Sequence, residues 1–304
     1  MLISEIIPLM RPRTLAAAFS PVFIGATFSY YAFGAAHGTG LALFHSLLIF
    51  LAVVCAQIVA NMWNEYCDFK SGLDHGQKIG NAGSVTRGAI SMSLLLNLIK
   101  GFTVIPLLIG IYLSATITWW YIPAGLLCIL ISFLYSGGPK PISRTPFGEI
   151  ASGLAMGLAI VLITSYAWTR ELSWALWIPA IPSIYLVGAI MLTNNIRDYE
   201  NDKSHGRRTL PIVLGRDRAL NVMSTGYFFI YMWLFAWIYQ GNIPVTSLLA
   251  LLSAIPAAKV VSILVRNDDI FKLDKAMSFT AMASILYNIL WGIGLIIGKF
   301  ILFL

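Results

Sequence analysis

Residues 41–74 read LALFHSLLIFLAVVCAQIVANMWNEYCDFKSGLD. Up to Asn64 the stretch is almost wholly apolar; beyond it stand Glu65, Asp68, Lys70 and Asp74. A bilayer-spanning helix needs about 20 mostly apolar residues, so this stretch reads as a transmembrane helix with carboxylates at its mouth. Ionisable groups beside lipid are expensive and are generally kept for a charged partner or a function. What partner these acidic residues serve is the question that organises the rest of the sequence.

The composition supports a membrane solvent. The chain is 58% hydrophobic and 11% charged, against about 25% charged in soluble domains. Comparable apolar runs place spans near residues 14–36, 41–64, 93–115, 119–136, 148–168, 174–196, 219–239, 245–265 and 277–302. The expected fold is an all-α membrane bundle of nine helices around a central cavity, in one polytopic domain covering 1–304. A cleavable signal peptide is not expected, because the first apolar run follows Arg11 and Arg13 and continues past Tyr30 without a small-residue cleavage site. With nine spans, Arg11, Arg13, Lys70, Lys78, Arg87, Lys140, Arg144, Arg197, Lys203, Arg207, Arg208, Arg216, Arg218, Arg266, Lys272 and Lys275 fall on one side. Arg170 and Lys299 fall on the other. The positive-inside rule makes the rich side cytoplasmic, N-terminus included. The net charge of +7 is then topology and attraction to anionic lipid, and no nucleic-acid partner is expected. Cys55, Cys67 and Cys128 are scattered and lack metal or disulfide spacing.

The cytoplasmic connections hold a second signal. Asn64-x-x-x-Asp68 closes the second span and Asn194-x-x-x-Asp198 closes the sixth, followed by Asp74 and Asp202 respectively. The matched motifs suggest two pseudo-repeats, about 1–140 and 141–304, with a site where the halves meet. Residues i and i+4 share a helix face, so Asn64 and Asp68 project together, and Asn194, Asp198 and Asp202 form a column if the sixth helix continues. Facing acidic columns call for a hard cation. Mg²⁺ takes oxygen ligands and commonly bridges carboxylates to substrate phosphates. Arg87, Lys140, Arg197, Lys203 and Arg207 supply the cations for a diphosphate. A lipid diphosphate would set its head here and its chain among the helices, with the metal neutralising the departing pyrophosphate.

Several of these residues also have plain readings. Glu200 and Asp217 read as solvated loop charges. Asn64 and Asn194 suit helix C-caps, and Lys140 and Arg87 suit positive-inside anchors. Tyr135 and Trp119-Trp120 suit an interfacial belt. Lys100 and Lys259 would snorkel or line the cavity, and His37 and His45 lie toward the opposite face.

The motifs NEYCDFKSGLD and NNIRDYENDKSHGRRTLPIVLG resemble the two Asp-rich motifs of the UbiA superfamily of intramembrane prenyltransferases. YSGGPKPI with PFGE resembles the segment between them, and RPRTLAAAFSPVFIGATF resembles the 1,4-dihydroxy-2-naphthoate branch. Glu65 stands where that branch usually has Asp. The resemblance implies Mg²⁺-dependent transfer of a polyprenyl chain from its diphosphate to an aromatic acceptor at the cell membrane. In the naphthoate branch, which serves menaquinone biosynthesis, the prenyl group replaces a ring carboxylate that leaves as CO₂. By this reading Asp68, Asp198 and Asp202 are catalytic, and Asn64, Asp68, Asp74, Asp198 and Asp202 hold the metal. Arg87, Lys140, Arg197, Lys203 and Asn194 bind the diphosphate. Glu65, Lys70 and Tyr135 line the substrate pocket, with Arg87, Lys70 and Glu65 as candidates to assist ring deprotonation. Other acceptors (4-hydroxybenzoate, homogentisate) stand as alternatives, and a cation-coupled transporter is the alternative from another class.

Overall fold

The computed structural model describes residues 2–72 and 83–301. Asp74 and Lys78 lie outside the described residues. A short helix α1 (Leu2–Met10) precedes α2 (Ala16–Ala32), α3 (Thr39–Lys70), α4 (Met92–Thr116) and α5 (Tyr121–Ser136). Then come α6 (Gly148–Thr169) and α7 (Trp174–Arg197), followed by the short α8 (Tyr199–Ser204) and α9 (Leu210–Leu214). The chain closes with α10 (Arg216–Tyr239), α11 (Val245–Arg266) and α12 (Ile270–Ile301). Among the described residues there is no strand.

Among the described residues seven helices, α3, α4, α6, α7, α10, α11 and α12, are long and apolar enough to cross a membrane. The apolar α5 is shorter, at 16 residues, and α2 has 17. The apolar runs fix these helices because only internally hydrogen-bonded backbone is tolerated in lipid. Their ends follow local chemistry. Ser91 caps α4 by accepting the Leu94 N–H at 3.3 Å, and Ser173 accepts the Ala175 N–H at 3.3 Å before α7. Three features differ from the sequence expectation. α3 runs to Lys70, so Asn64 and Asp68 sit inside a helix. The expected loop 266–275 is mostly the first turns of α12. α1 is a helix where no element was expected, because its nine residues are too few to give a span signal.

Apolar burial alone does not hold helices together in lipid, so close packing through small residues must contribute. α6 shows this clearly. Its turns at Gly153–Leu158 are π-helical, and Gly153 and Gly157 rest on α7. A Cβ at either would lie 2.6 Å from Ile184 backbone atoms. One core cluster, with Tyr287 and Trp291 at its centre, unites α2, α6, α7, α10, α11 and α12. A second joins α1, α3 and α4 through Leu9, Ile58, Val59, Met62, Leu95 and Ile99. Leu108, Ile111, Leu127, Leu130 and Phe228 face outward as a lipid-compatible surface.

The two ends of the bundle are unlike. One carries the polar contacts of Arg11 and Ser136 with Asn64, Arg207 with Asp68, Asn195 with Glu149, Arg197 with Asn194 and Asp274, and Arg216 with the Leu264 carbonyl. The other is closed by Ala36 N–H to Trp168 O at 2.9 Å, Trp168 Nε1 to Ser46 at 2.8 Å, and the Lys299 ammonium on the Tyr30 carbonyl. The basic segments read from sequence thus share one end.

Candidate functional site

The site sits where α3, α5, α6, α7 and α12 end together. α3 and α5 are tied by Trp63 Nε1 donating to the Phe133 carbonyl at 3.0 Å and Asn64 Nδ2 donating to Ser136 Oγ at 3.1 Å. Arg11, just past α1, donates to Asn64 Oδ1 at 2.9 Å. Asn61 holds the same segment by donating to the Met10 carbonyl at 2.9 Å. Asp68 follows Asn64 by one turn and is buried.

α7 ends at Arg197, and Asp198 is the junction to α8. The expected unbroken column through Asn194, Asp198 and Asp202 is therefore interrupted at Asp198, although Asp202 N–H still reaches the Asp198 carbonyl at 2.8 Å. After α8, Gly206 adopts φ 70°, a left-handed conformation that favours glycine. That turn brings Arg207 back so that its N–H meets the Asp202 carbonyl at 3.0 Å. The Arg208 N–H then anchors on the Arg144 carbonyl at 3.1 Å.

The result is a bridge. Arg207 Nη2 lies 3.0 Å from Asp68 Oδ1, and Nη1 lies 3.2 Å from Asp202 Oδ1. One guanidinium spans the first and second motifs, whose Asp68 and Asp202 side chains are only 10% and 4% exposed. Beside it stands a second trio. Arg197 grips both oxygens of Asp198, at 2.8 and 2.7 Å, and donates to Asn194 Oδ1 at 2.8 Å and Asp274 Oδ1 at 3.0 Å. Each trio counts two carboxylates to one guanidinium.

Among the described residues no group of three or more His, Cys, Asp or Glu side chains is close enough to hold a metal. An all-protein cage is therefore not what these residues build. Mg²⁺ does not need one, because it keeps several waters and uses one or two carboxylates plus phosphate oxygens. Asp68 and Asp202, held close enough to share one cation, fit that mode.

A family model, the UbiA prenyltransferase family, matches residues 19–296. The chain belongs to this family. It is 36% identical to the 1,4-dihydroxy-2-naphthoate octaprenyltransferase of Bacillus subtilis (strain 168), over 96% of this chain and 92% of that one. It is 29% identical to the enzyme of the same name from Haemophilus influenzae, over 95% and 94%. The fold resembles the apo structure of a UbiA homolog from Aeropyrum pernix K1 (TM-score 0.69, 17% identity, 94% of this chain and 98% of that chain). It also resembles a UbiA homolog from Archaeoglobus fulgidus bound to DMAPP and Mg²⁺ (TM-score 0.61, 17% identity, 96% and 99%). The protein is thus a multi-pass membrane enzyme that transfers a prenyl chain, which sets aside the transporter alternative.

Within this family member, the structure gathers Asn64, Asp68, Asn194, Arg197, Asp198 and Asp202. Other expected residues stand differently. Glu65 is buried and accepts the Gly83 N–H at 2.6 Å, pinning the chain that returns to α4. Lys70 is exposed, its ammonium 5.3 Å from the Tyr66 ring centre. Arg87 is exposed beside Glu5 at 3.5 Å. Lys140 and Lys203 are exposed, the latter 5.7 Å from the Tyr199 ring. Lys100 and Lys259 are also exposed, and Lys259 lies 5.2 Å from the Phe279 ring. Tyr135 reaches inward, its hydroxyl buried. Sequence reasoning missed the bridging role of Arg207, the Arg11–Asn64 contact, Asp274 and the Glu149–Asn195 pair. Only Glu149, a carboxylate opening an apolar span, gave a signal that pattern reading could have used.

Proposed function

We propose that the enzyme transfers a polyprenyl chain from its diphosphate to 1,4-dihydroxy-2-naphthoate with loss of CO₂, using Mg²⁺, at the cytoplasmic side of the cell membrane. The observation that carries the reading is Arg207, which draws Asp68 of one motif and Asp202 of the other around a single cationic point. Two acidic motifs from distant parts of the chain then act as one head-group site. The similarity to two naphthoate octaprenyltransferases along nearly the whole chain supports the acceptor. The neighbour bound to DMAPP and Mg²⁺ supports the donor chemistry.

In this reading Asp68 and Asp202 would hold Mg²⁺, and Asn64, Asp198 and Asp74 are the further candidates of the two motifs. When bound, Mg²⁺ neutralises charge on the departing pyrophosphate. Arg207, which lies between Asp68 and Asp202, would face the diphosphate. Lys140, Lys203 and Arg87, exposed at the rim, draw the anionic head inward. Arg197 is otherwise occupied: its guanidinium is committed to Asp198, Asn194 and Asp274, so it orients Asn194 and Asp198 and does not reach for phosphate. The prenyl chain lies among the apolar helices below, consistent with the serving of menaquinone biosynthesis.

The test uses 1,4-dihydroxy-2-naphthoate carrying ¹³C in its carboxylate, a polyprenyl diphosphate and Mg²⁺. Labelled CO₂ should be released one for one with pyrophosphate, and EDTA should stop both. Product that retains the label would exclude the decarboxylating step. Turnover undiminished in chelator would exclude the metal.

A further inference from the structure

Glu149 opens α6 and is 6% exposed. The close α6–α7 packing sets its place: a Cβ on Gly188 would lie 3.1 Å from the Glu149 carbonyl oxygen. Its Oε1 accepts from Asn195 Nδ2 at 2.8 Å, so the carboxylate is carried by the same turn of α7 as Asn194. Its Oε2 is buried and has no hydrogen-bond partner among the described residues. Two more buried polar atoms in this region share that condition, the Tyr135 hydroxyl and Arg207 Nε. The hydroxyl lies 3.3 Å from where a Cβ on Gly148, the residue before Glu149, would stand, and its neighbour Ser136 is bonded to Asn64, one turn from the Asp68 that Arg207 meets. Buried polar groups are nearly always satisfied, so each exception needs an explanation. Three exceptions from three separate elements around one locus are explained together by a polar ligand.

The other carboxylates of the site are engaged. Asp68 and Asp202 meet Arg207, Asp198 and Asp274 meet Arg197, and Glu65 takes a backbone N–H. Among the described residues no arginine or lysine pairs with Glu149. When ionised it is an acceptor-only group with an open oxygen beside the head-group site, which is what a general base requires.

We infer that Glu149 accepts the proton of the aromatic acceptor's ring hydroxyl, with the Tyr135 hydroxyl bonding the same ring oxygen. This rests on the prenyl-transfer reading above and names the base for it. The O–H bond breaks and its proton passes to Glu149 Oε2, while the electron pair enters the ring. The ring carbon bonds to C1 of the prenyl chain as the C1–O bond breaks, and pyrophosphate leaves with that pair. Loss of CO₂ from the attacked carbon returns electrons to the ring, and the ring oxygen takes its proton back from Glu149. No oxidant or further reactant is needed. The acceptor class is a ring bearing a hydroxyl next to the attacked carbon.

The test compares wild type with Glu149→Gln, which keeps an oxygen for Asn195 but cannot take a proton. Three measurements are made on each: affinity for an inert prenyl thiolodiphosphate with Mg²⁺, kcat with a panel of hydroxylated aromatics, and kcat with a halogenated acceptor whose hydroxyl is already ionised. Analogue affinity should stay within about twofold, and kcat on the best acceptor should fall by about 10²-fold or more. The ionised acceptor should recover at least about tenfold of that loss, since it needs no base. Wild-type kcat in the variant, equal loss on both acceptors, or lost analogue affinity would each overturn the assignment. A wild type that prenylates a different panel member would instead overturn the naphthoate reading, leaving the Glu149 comparison to be read on that acceptor.

Discussion

The two Asn-x-x-x-Asp motifs look alike in sequence and are wired differently in space. Asn64 and Asp68 lie within the unbroken 32-residue α3, and their cations come from far along the chain, Arg11 and Arg207. Asn194 and Asp198 straddle a helix end, and one neighbouring residue, Arg197, holds both. The first motif takes its cations from long range; the second takes its cation from within the motif, reaches Asp274 through it and adds Asp202 as its outreach. A shared spacing therefore fixes which side chains share a face, while the tertiary partners decide which can release a cation to a substrate. Among the described residues the Arg207 guanidinium is held by two single contacts, so the proposed metal would have less to displace there. Arg197 is held by four, so the geometry keeps it in place.

The difference can be broken in order of expected effect. Asp68→Asn removes a carboxylate from the bridged pair and should lower turnover by about 10²–10³-fold, as when one charge-stabilising group is lost. Steady-state kinetics at saturating Mg²⁺ measures it, and a loss under tenfold would mean that Asp68 does not face the reaction. Arg207→Met leaves Asp68 and Asp202 without their guanidinium. Metal-free stability should drop by about 3 kcal/mol, and Mg²⁺ should restore more of it than it adds to wild type. Thermal unfolding in detergent with and without Mg²⁺ reads both quantities.

Smaller effects sharpen the contrast. Asp274→Asn removes one of the two carboxylates that flank Arg197 but leaves the paired contact to Asp198. It should cost about 1 kcal/mol of stability and change turnover less than threefold, about 0.6 kcal/mol by the usual conversion. Glu200→Gln alters an exposed charge on α8 and should stay within about 0.5 kcal/mol of wild type. Damage at Glu200 equal to that of Asp202→Asn on the same helix would show that the other face of α8 carries the chemistry.

How far the sequence could be read follows from the range of the forces involved. The bundle was legible because about 20 apolar residues in a row have few alternatives in lipid. Span edges were less so, since α3 and α12 continue as helix beyond their apolar parts, through Lys70 and from Ile270. Asp68 and Asp202 could be picked out because their motifs pair them with Asn64 and Asn194 at matched offsets. Their connection through Arg207 could not, because it depends on the Gly206 turn and on Asp68 and Arg207 meeting across 139 residues of chain. Asp274 was hidden in a segment that read as a mixed-charge loop. Glu149 was visible only as part of PFGE; its burial beside α7 depends on the close α6–α7 approach at Gly188, which no local pattern records.

The central claim is that the two motifs form one site. A double-mutant cycle on Asp68→Asn and Asp202→Asn tests it most directly, read as affinity for an inert prenyl thiolodiphosphate at saturating Mg²⁺. Residues that share one cation are strongly non-additive. The double variant should bind no more than about threefold more weakly than the weaker single variant, a coupling of at least about 1 kcal/mol. Losses that multiply in full would contradict the account and assign the two carboxylates to independent sites.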